Sequence, residues 1–185
     1  MIYLASLSPR RCKLLKQINV NYQQIAVKIV ETPHPNEIPQ KYVNRMALAK
    51  AHAGRALVVT NQPVLAADTS IVCDDQLFGK PIDAKDAEQM LACLSGRVHQ
   101  VMTAVALVTT TFTRTQLSVS NVHVQTLTKK DIQTYVATGE PFDKAGSYAI
   151  QGKAAIFIKR IEGSYSGIMG LPLYETATLL SMIND

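Results

Sequence analysis

Two carboxylates and four cations stand out in this sequence because of where they fall. Asp68 lies inside PVLAADTSIVC, residues 63–73, an otherwise apolar stretch with the pattern of a strand. An ionised carboxylate there is costly unless a cation, a metal or several hydrogen-bond donors meet it. Glu31 directly follows another strand-like stretch, Tyr22–Val30. Arg10 and Arg11 stand side by side in LASLSPRR, residues 4–11, at the entry to a helix. The positive end of the helix dipole favours anions there, so two cations imply that an anion is expected. Small hydroxyl residues at a strand end, Ser6 and Ser8, with a guanidinium pair and free backbone N–H groups, can cradle a phosphate. Lys50 falls on the apolar stripe of a long helical segment, and Lys80 sits on a Gly-Lys-Pro turn. Such an inventory suits phosphoryl chemistry, which needs charge neutralisation, a divalent ion held by carboxylates and a base that deprotonates water. Plainer alternatives stand beside it: a solvated first turn for the arginines, a snorkelling Lys50 and a structurally hydrogen-bonded Asp68. Composition and spacing reach an anion-binding enzyme and stop there.

The elements that must position these residues alternate between strand and helix. Met1–Ala5 is a short apolar strand, Ser8 caps a helix entered at Pro9, and Leu14, Leu15 and Ile18 give that helix its apolar face. After TPHPNEIP, a loop with three prolines, a long helix begins near Pro39, with Val43, Met46, Ala53 and Leu57 as its core stripe. Asp83 caps a helix to Leu94 that is closed by Gly96. Strands at Val98–Val108 and Gln116–Gln125 enclose a threonine-rich connection and form a hairpin. Thr128 and Asp131 open a short helix that ends at Gly139. EPFDKAGSYAIQG is long and polar for a simple turn and has the character of a working loop. A strand at Ala154–Ile161 and a helix opened by Pro172 complete the chain. With no repeat and no linker, the expectation is one α/β unit, residues 1–185, on a bent mixed sheet.

At 185 residues and 47% hydrophobic content the chain can bury a sizeable core. Its net charge of +5 is spread along the sequence, with lysine and arginine clustering only in pairs. A small phosphorylated ligand suits this at least as well as a polynucleotide, since neither a basic arm nor an RNA-binding aromatic motif is present. Three cysteines without CxxC spacing point to free thiols in a reducing compartment. No apolar run is long enough to cross a bilayer. A cytoplasmic protein without membrane or nucleic-acid partners is expected, with a homodimer left open. The four histidines show no zinc-ligand spacing.

In order along the chain, LASLSPRR, AADTS, GKP, SGRVHQV, DKAGSYAIQG and GLPL resemble the Maf family of nucleoside triphosphate pyrophosphatases over nearly the whole length. That resemblance implies an elongated mixed sheet flanked by helices, with a cleft between two lobes, as in inosine triphosphatase-like folds. It implies cleavage between the α- and β-phosphates with a divalent cation, magnesium or manganese, and a house-cleaning role; some members are associated with septum formation. Carried onto this chain, it gives Ser6, Ser8, Arg10 and Arg11 as phosphate-binding, Asp68 as proton acceptor, Glu31 as sharing the metal with Asp68, and Lys50 and Lys80 as substrate-binding. Arg11, Thr69 and Gln151 resemble the subgroup acting on dTTP and UTP, whereas the sister subgroup for 7-methyl-GTP shows SPWR, SDQ and SEG. A Gln amide can both donate and accept, matching the edge shared by thymine and uracil. The alternatives are the 7-methyl-GTP enzyme and a nucleotide-binding regulator of cell division with little turnover.

Overall fold

The computed structural model describes residues 1–183. Its organising element is β3 (Val64–Cys73), buried at every position except Thr69. A nearly continuous apolar run of this kind is stable only when both faces of the strand are covered. The other strands are β1 (Ile2–Leu4), β2 (Tyr22–Gln24), β4 (Gln76–Phe78), β5 (Val98–Val108), β6 (Thr113–Val124) and β7 (Ile158–Glu162). They form one seven-stranded mixed sheet in the order β2-β1-β3-β5-β6-β7, with β4 also on β3. The β1–β2 and β1–β3 pairs are parallel and the rest antiparallel. The helices are α1 (Pro9–Gln17), α2 (Pro39–Leu57), α3 (Ala84–Leu94), α4 (Lys129–Val136), α5 (Tyr165–Ile168) and α6 (Leu173–Ser181).

Side chains alternate across β3, and the two faces are covered differently. Val64, Ala66 and Val72 pack with Val43, Ala47 and Ala51 of α2. Gly54 allows the close approach of that helix, because a Cβ there would lie 2.9 Å from Ala5 Cβ and 2.9 Å from Val64 Cγ1. On the opposite face the apolar packing is split. Leu65 and Ala67 join Leu14 and Leu15 of α1 and Leu179 of α6, while Ile71 and Cys73 join Leu91 of α3 and Ile132 and Tyr135 of α4. Thr69 falls between these two clusters and divides the molecule into the two expected lobes.

The edge of β3 is divided at the same place. On the side away from β5, β1 pairs with Val64 and Leu65 and β4 pairs with Ile71, Val72 and Cys73. No strand among the described residues pairs with Ala66–Ser70 on that side. This gap allows Asp68 and Thr69, which point to opposite faces, to border one cleft.

Several sequence expectations need correction. The strand expected over 22–30 ends at Gln24, because β1 offers only three residues to pair with before the chain turns into α1. Ser8 occupies the N-cap position, but its side chain makes no capping bond, and its N–H donates to Ser6 Oγ at 3.2 Å. In α2, Leu57 is exposed and Ala53 only half-buried; packing runs through the smaller Ala47, Ala51 and Gly54. The strand expected from Ala154 begins at Ile158, after a 3-10 turn over Lys153–Phe157 that buries Ala154 and Phe157. β6 starts earlier than expected, at Thr113, since β-branched residues suit a pleated strand. The four-residue α5 was not foreseen.

Candidate active site

The positions singled out from the sequence, Ser6, Ser8, Arg10, Arg11, Glu31, Lys50, Asp68, Thr69, Lys80 and Gln151, all line a single cleft of about 470 Å³. At one end Lys50 reaches from α2, one turn before Gly54, and places Nζ 2.7 Å from Asp68 Oδ1 and 2.9 Å from Glu31 Oε1. Thus the lysine on the apolar stripe does not snorkel to open water. Asp68 is only 6% exposed, whereas the Glu31 side chain is 54% exposed. The Tyr42 hydroxyl donates to the Glu31 carbonyl at 3.2 Å and fixes that loop against α2. Burial, and then the charges of Asp68 and Glu31, push the Tyr42 phenol above its ordinary pKa.

At the other end Arg11 is more than an exposed residue of a first turn. Its Nε donates to the Gly170 carbonyl at 2.8 Å, one Nη to Ser6 Oγ at 3.2 Å and the other to Thr69 Oγ1 at 3.3 Å. Gly170 has φ of +107°, a conformation that a side chain would disfavour, and it turns its carbonyl toward the guanidinium. Burial draws the Arg11 pKa down, opposed chiefly by the charge of Asp68. All three partners are neutral. Among the described residues Arg10, Arg11 and Lys80 have no carboxylate within ion-pair distance, so three cations face the cleft with charge to spare.

The polar loop holds the far wall. Glu140 accepts from the Tyr135 hydroxyl at 2.9 Å and from the Lys153 N–H at 3.0 Å. It thereby pins the turn that carries Gln151. Lys144, ion-paired with Asp143, also lines the cleft; sequence reasoning identified the loop and missed this pair. Hydrogen bonding from Lys144, and then its charge together with that of Arg10, holds the Asp143 carboxyl below its usual range.

Tyr148, another lining residue, is held from behind by His99, with Nε2 2.7 Å from the phenol oxygen and the rings edge-to-face at 5.4 Å. Burial, and then the neighbouring His123, lowers His99 to about 4. The unfolded chain therefore binds the proton more readily than the folded one. Stability conferred by neutral His99 is complete above the ordinary histidine pKa near 6.5 and is lost as pH falls toward 4. We expect denaturation midpoints of the wild type to drop between pH 6.5 and 4 by more than those of His99→Asn. Parallel pH profiles would remove His99 as the cause.

This geometry coincides with a family pattern. The Maf-like protein family matches residues 1–183. The chain belongs to the Maf family. The dTTP/UTP pyrophosphatase of Aromatoleum aromaticum is 52% identical, covering 97% of this chain and 93% of that protein. The dTTP/UTP pyrophosphatase of Escherichia coli O157:H7 is 49% identical, covering 99% and 93%. Among solved structures, the Staphylococcus aureus Ham1 protein superposes with a TM-score of 0.50 at 14% identity, over 98% of this chain and 96% of that one. This last likeness concerns the fold alone, and it agrees with the expected mixed sheet flanked by helices.

Proposed function

We propose that this Maf protein, taken as one catalytic domain, hydrolyses dTTP and UTP to the nucleoside monophosphate and pyrophosphate. The observation carrying this reading is the division of the cleft into cations without a carboxylate partner among the described residues, Arg10, Arg11 and Lys80, and a Lys50-bridged pair of carboxylates, Asp68 and Glu31. An anionic chain is attracted along the first set and brought against the second. The names of the relatives supply the base preference, and Arg11, Thr69 and Gln151 on this chain are compatible with it.

The donor set suits a hard divalent cation such as magnesium or manganese. Asp68 and Glu31 are brought close together by their shared contact with Lys50 Nζ, and the second oxygen of each carboxylate is left for the ion. No group of three or more His, Cys, Asp or Glu that could hold a metal occurs among the described residues. Two carboxylates leave coordination positions to phosphate and water, which is how such ions are held beside nucleotides. Bound there, the ion would neutralise charge developing on the phosphate oxygens. Asp68 accepts the proton of the attacking water as the bond between the α- and β-phosphates breaks. The electron pair of that bond leaves with pyrophosphate, whose charge faces Arg10, Arg11 and Lys80. Lys50 holds Asp68 in place, and the Ser6 and Ser8 hydroxyls border the phosphate path.

Base choice is tested at Gln151. A carboxylate there would lose a donor and set negative charge beside the carbonyl oxygens of uracil or thymine. Gln151→Glu should lower kcat/KM for dTTP and UTP by about tenfold to a hundredfold, with little gain for 7-methyl-GTP. Pyrophosphate release from dTTP, UTP, CTP and 7-methyl-GTP by both proteins measures this. An unchanged preference order would remove Gln151 from base reading, and no pyrophosphate from any nucleotide would sink the activity itself.

A further inference from the structure

The distances in the polar seam between the two lobes favour one arrangement of hydroxyl protons. Thr103 of β5 is the cross-strand partner of Thr69 and is completely buried. Its Oγ1 lies 2.8 Å from the Gly167 carbonyl oxygen and 3.0 Å from Thr69 Oγ1. A carbonyl only accepts, and two oxygens 2.8 Å apart repel unless a proton lies between them, so the one Thr103 proton is assigned to Gly167, whose other lone pair takes the Gly170 N–H at 2.9 Å. The Thr103–Thr69 contact is then a hydrogen bond only if Thr69 donates. Because a guanidinium only donates, one lone pair of Thr69 is already taken by Arg11 at 3.3 Å. The proton order, assigned by elimination, runs from Arg11 to Thr69 to Thr103 to the Gly167 carbonyl.

We propose that Thr103 is a positioning residue for substrate choice, locking the Thr69 hydroxyl so that it offers the cleft one acceptor and no donor. Thr69 is the only position of β3 left partly open, and it lines the cleft. An acceptor without a donor suits the ring N–H at position 3 of uracil and thymine. It opposes cytosine, which presents a lone pair at the same place. The argument rests on the pyrimidine triphosphatase reading above, and it gives Thr69 the ring N–H while Gln151 donates to the neighbouring carbonyl.

The test is the ratio of kcat/KM for UTP to that for CTP in the whole protein. Thr103→Val keeps the shape and removes the lock, freeing the Thr69 proton to turn toward the cleft. The ratio should fall about tenfold, the size of one misplaced polar contact, whereas Thr103→Ser should retain it. Thr69→Val should lower the ratio similarly, and the double variant should fall no further, since the two residues act as one unit. Equal loss for both nucleotides in Thr103→Val, or failure of Thr103→Ser to hold the ratio, would show a merely structural role and overturn the assignment. Melting temperatures identify an unfolded Thr103→Val; Thr69→Val then decides, and an unchanged ratio in that variant also overturns it. A wild type that releases no pyrophosphate from UTP would instead refute the activity on which the proposal rests, which is a distinguishable result.

Discussion

Asp68→Asn should fold and bind nucleotide like the wild type yet lose turnover by a factor on the order of 10²–10⁴, the usual contribution of a positioned base. The amide oxygen can still accept from Lys50 Nζ, now 2.7 Å from Asp68 Oδ1, so the site keeps its shape. What disappears is the capacity to take a proton from water. Single-turnover pyrophosphate release, alongside nucleotide binding by calorimetry, separates these effects. Near-normal turnover in the Asn variant would exclude Asp68 as base.

Lys50→Met should be the most destabilising single change at the site. The Lys50 and Asp68 side chains are 14% and 8% exposed, so deleting the ammonium leaves a carboxylate in a poorly solvated position with Glu31 nearby. Removing one partner of a buried pair typically costs about 3–5 kcal/mol. The low end is expected here because the cleft admits water to Asp68. Adding Asp68→Asn to Lys50→Met should recover much of the loss, since no orphaned charge remains. Urea denaturation of the four proteins gives the coupling directly. A loss below about 1 kcal/mol, the range of exposed pairs, would mean that solvent screens this contact far better than its burial implies.

The parts of this site that lie within one element are legible in the sequence. Asp68 stands out because a charge interrupts an apolar strand, and Lys50 because it lies on a helical stripe one turn before Gly54. Ser6, Ser8, Arg10 and Arg11 form one segment and could be grouped on sight. Contacts set by register and long-range packing are not legible. Nothing local couples Arg11 to Gly170, 159 residues away, or sets Thr103 opposite Thr69. His99 looks like any scattered histidine until Tyr148 packs against it. The shortened strand after Tyr22 has the same cause. Its alternation is intact, but pairing requires a partner, and β1 ends after three residues. For the same reason Arg11, which reads locally as part of a solvated first turn, ties that turn to Gly170 and to the seam at Thr69.

The interruption along β3 has a further consequence. Unpaired strand edges invite other chains to add a strand, the first step of many aggregates. Here the unpaired stretch Ala66–Ser70 is closed at both ends, by β1 at Leu65 and by β4 at Ile71. At about 3.3 Å per residue the opening is roughly 17 Å long. An invading strand would find little length to pair with and would collide with β1 or β4 before gaining register. A narrow, flexible polyphosphate meets no such obstacle. The fold thus leaves backbone open for chemistry while denying it to self-association, and lengthening β1 or β4 to improve the sheet would remove the opening itself.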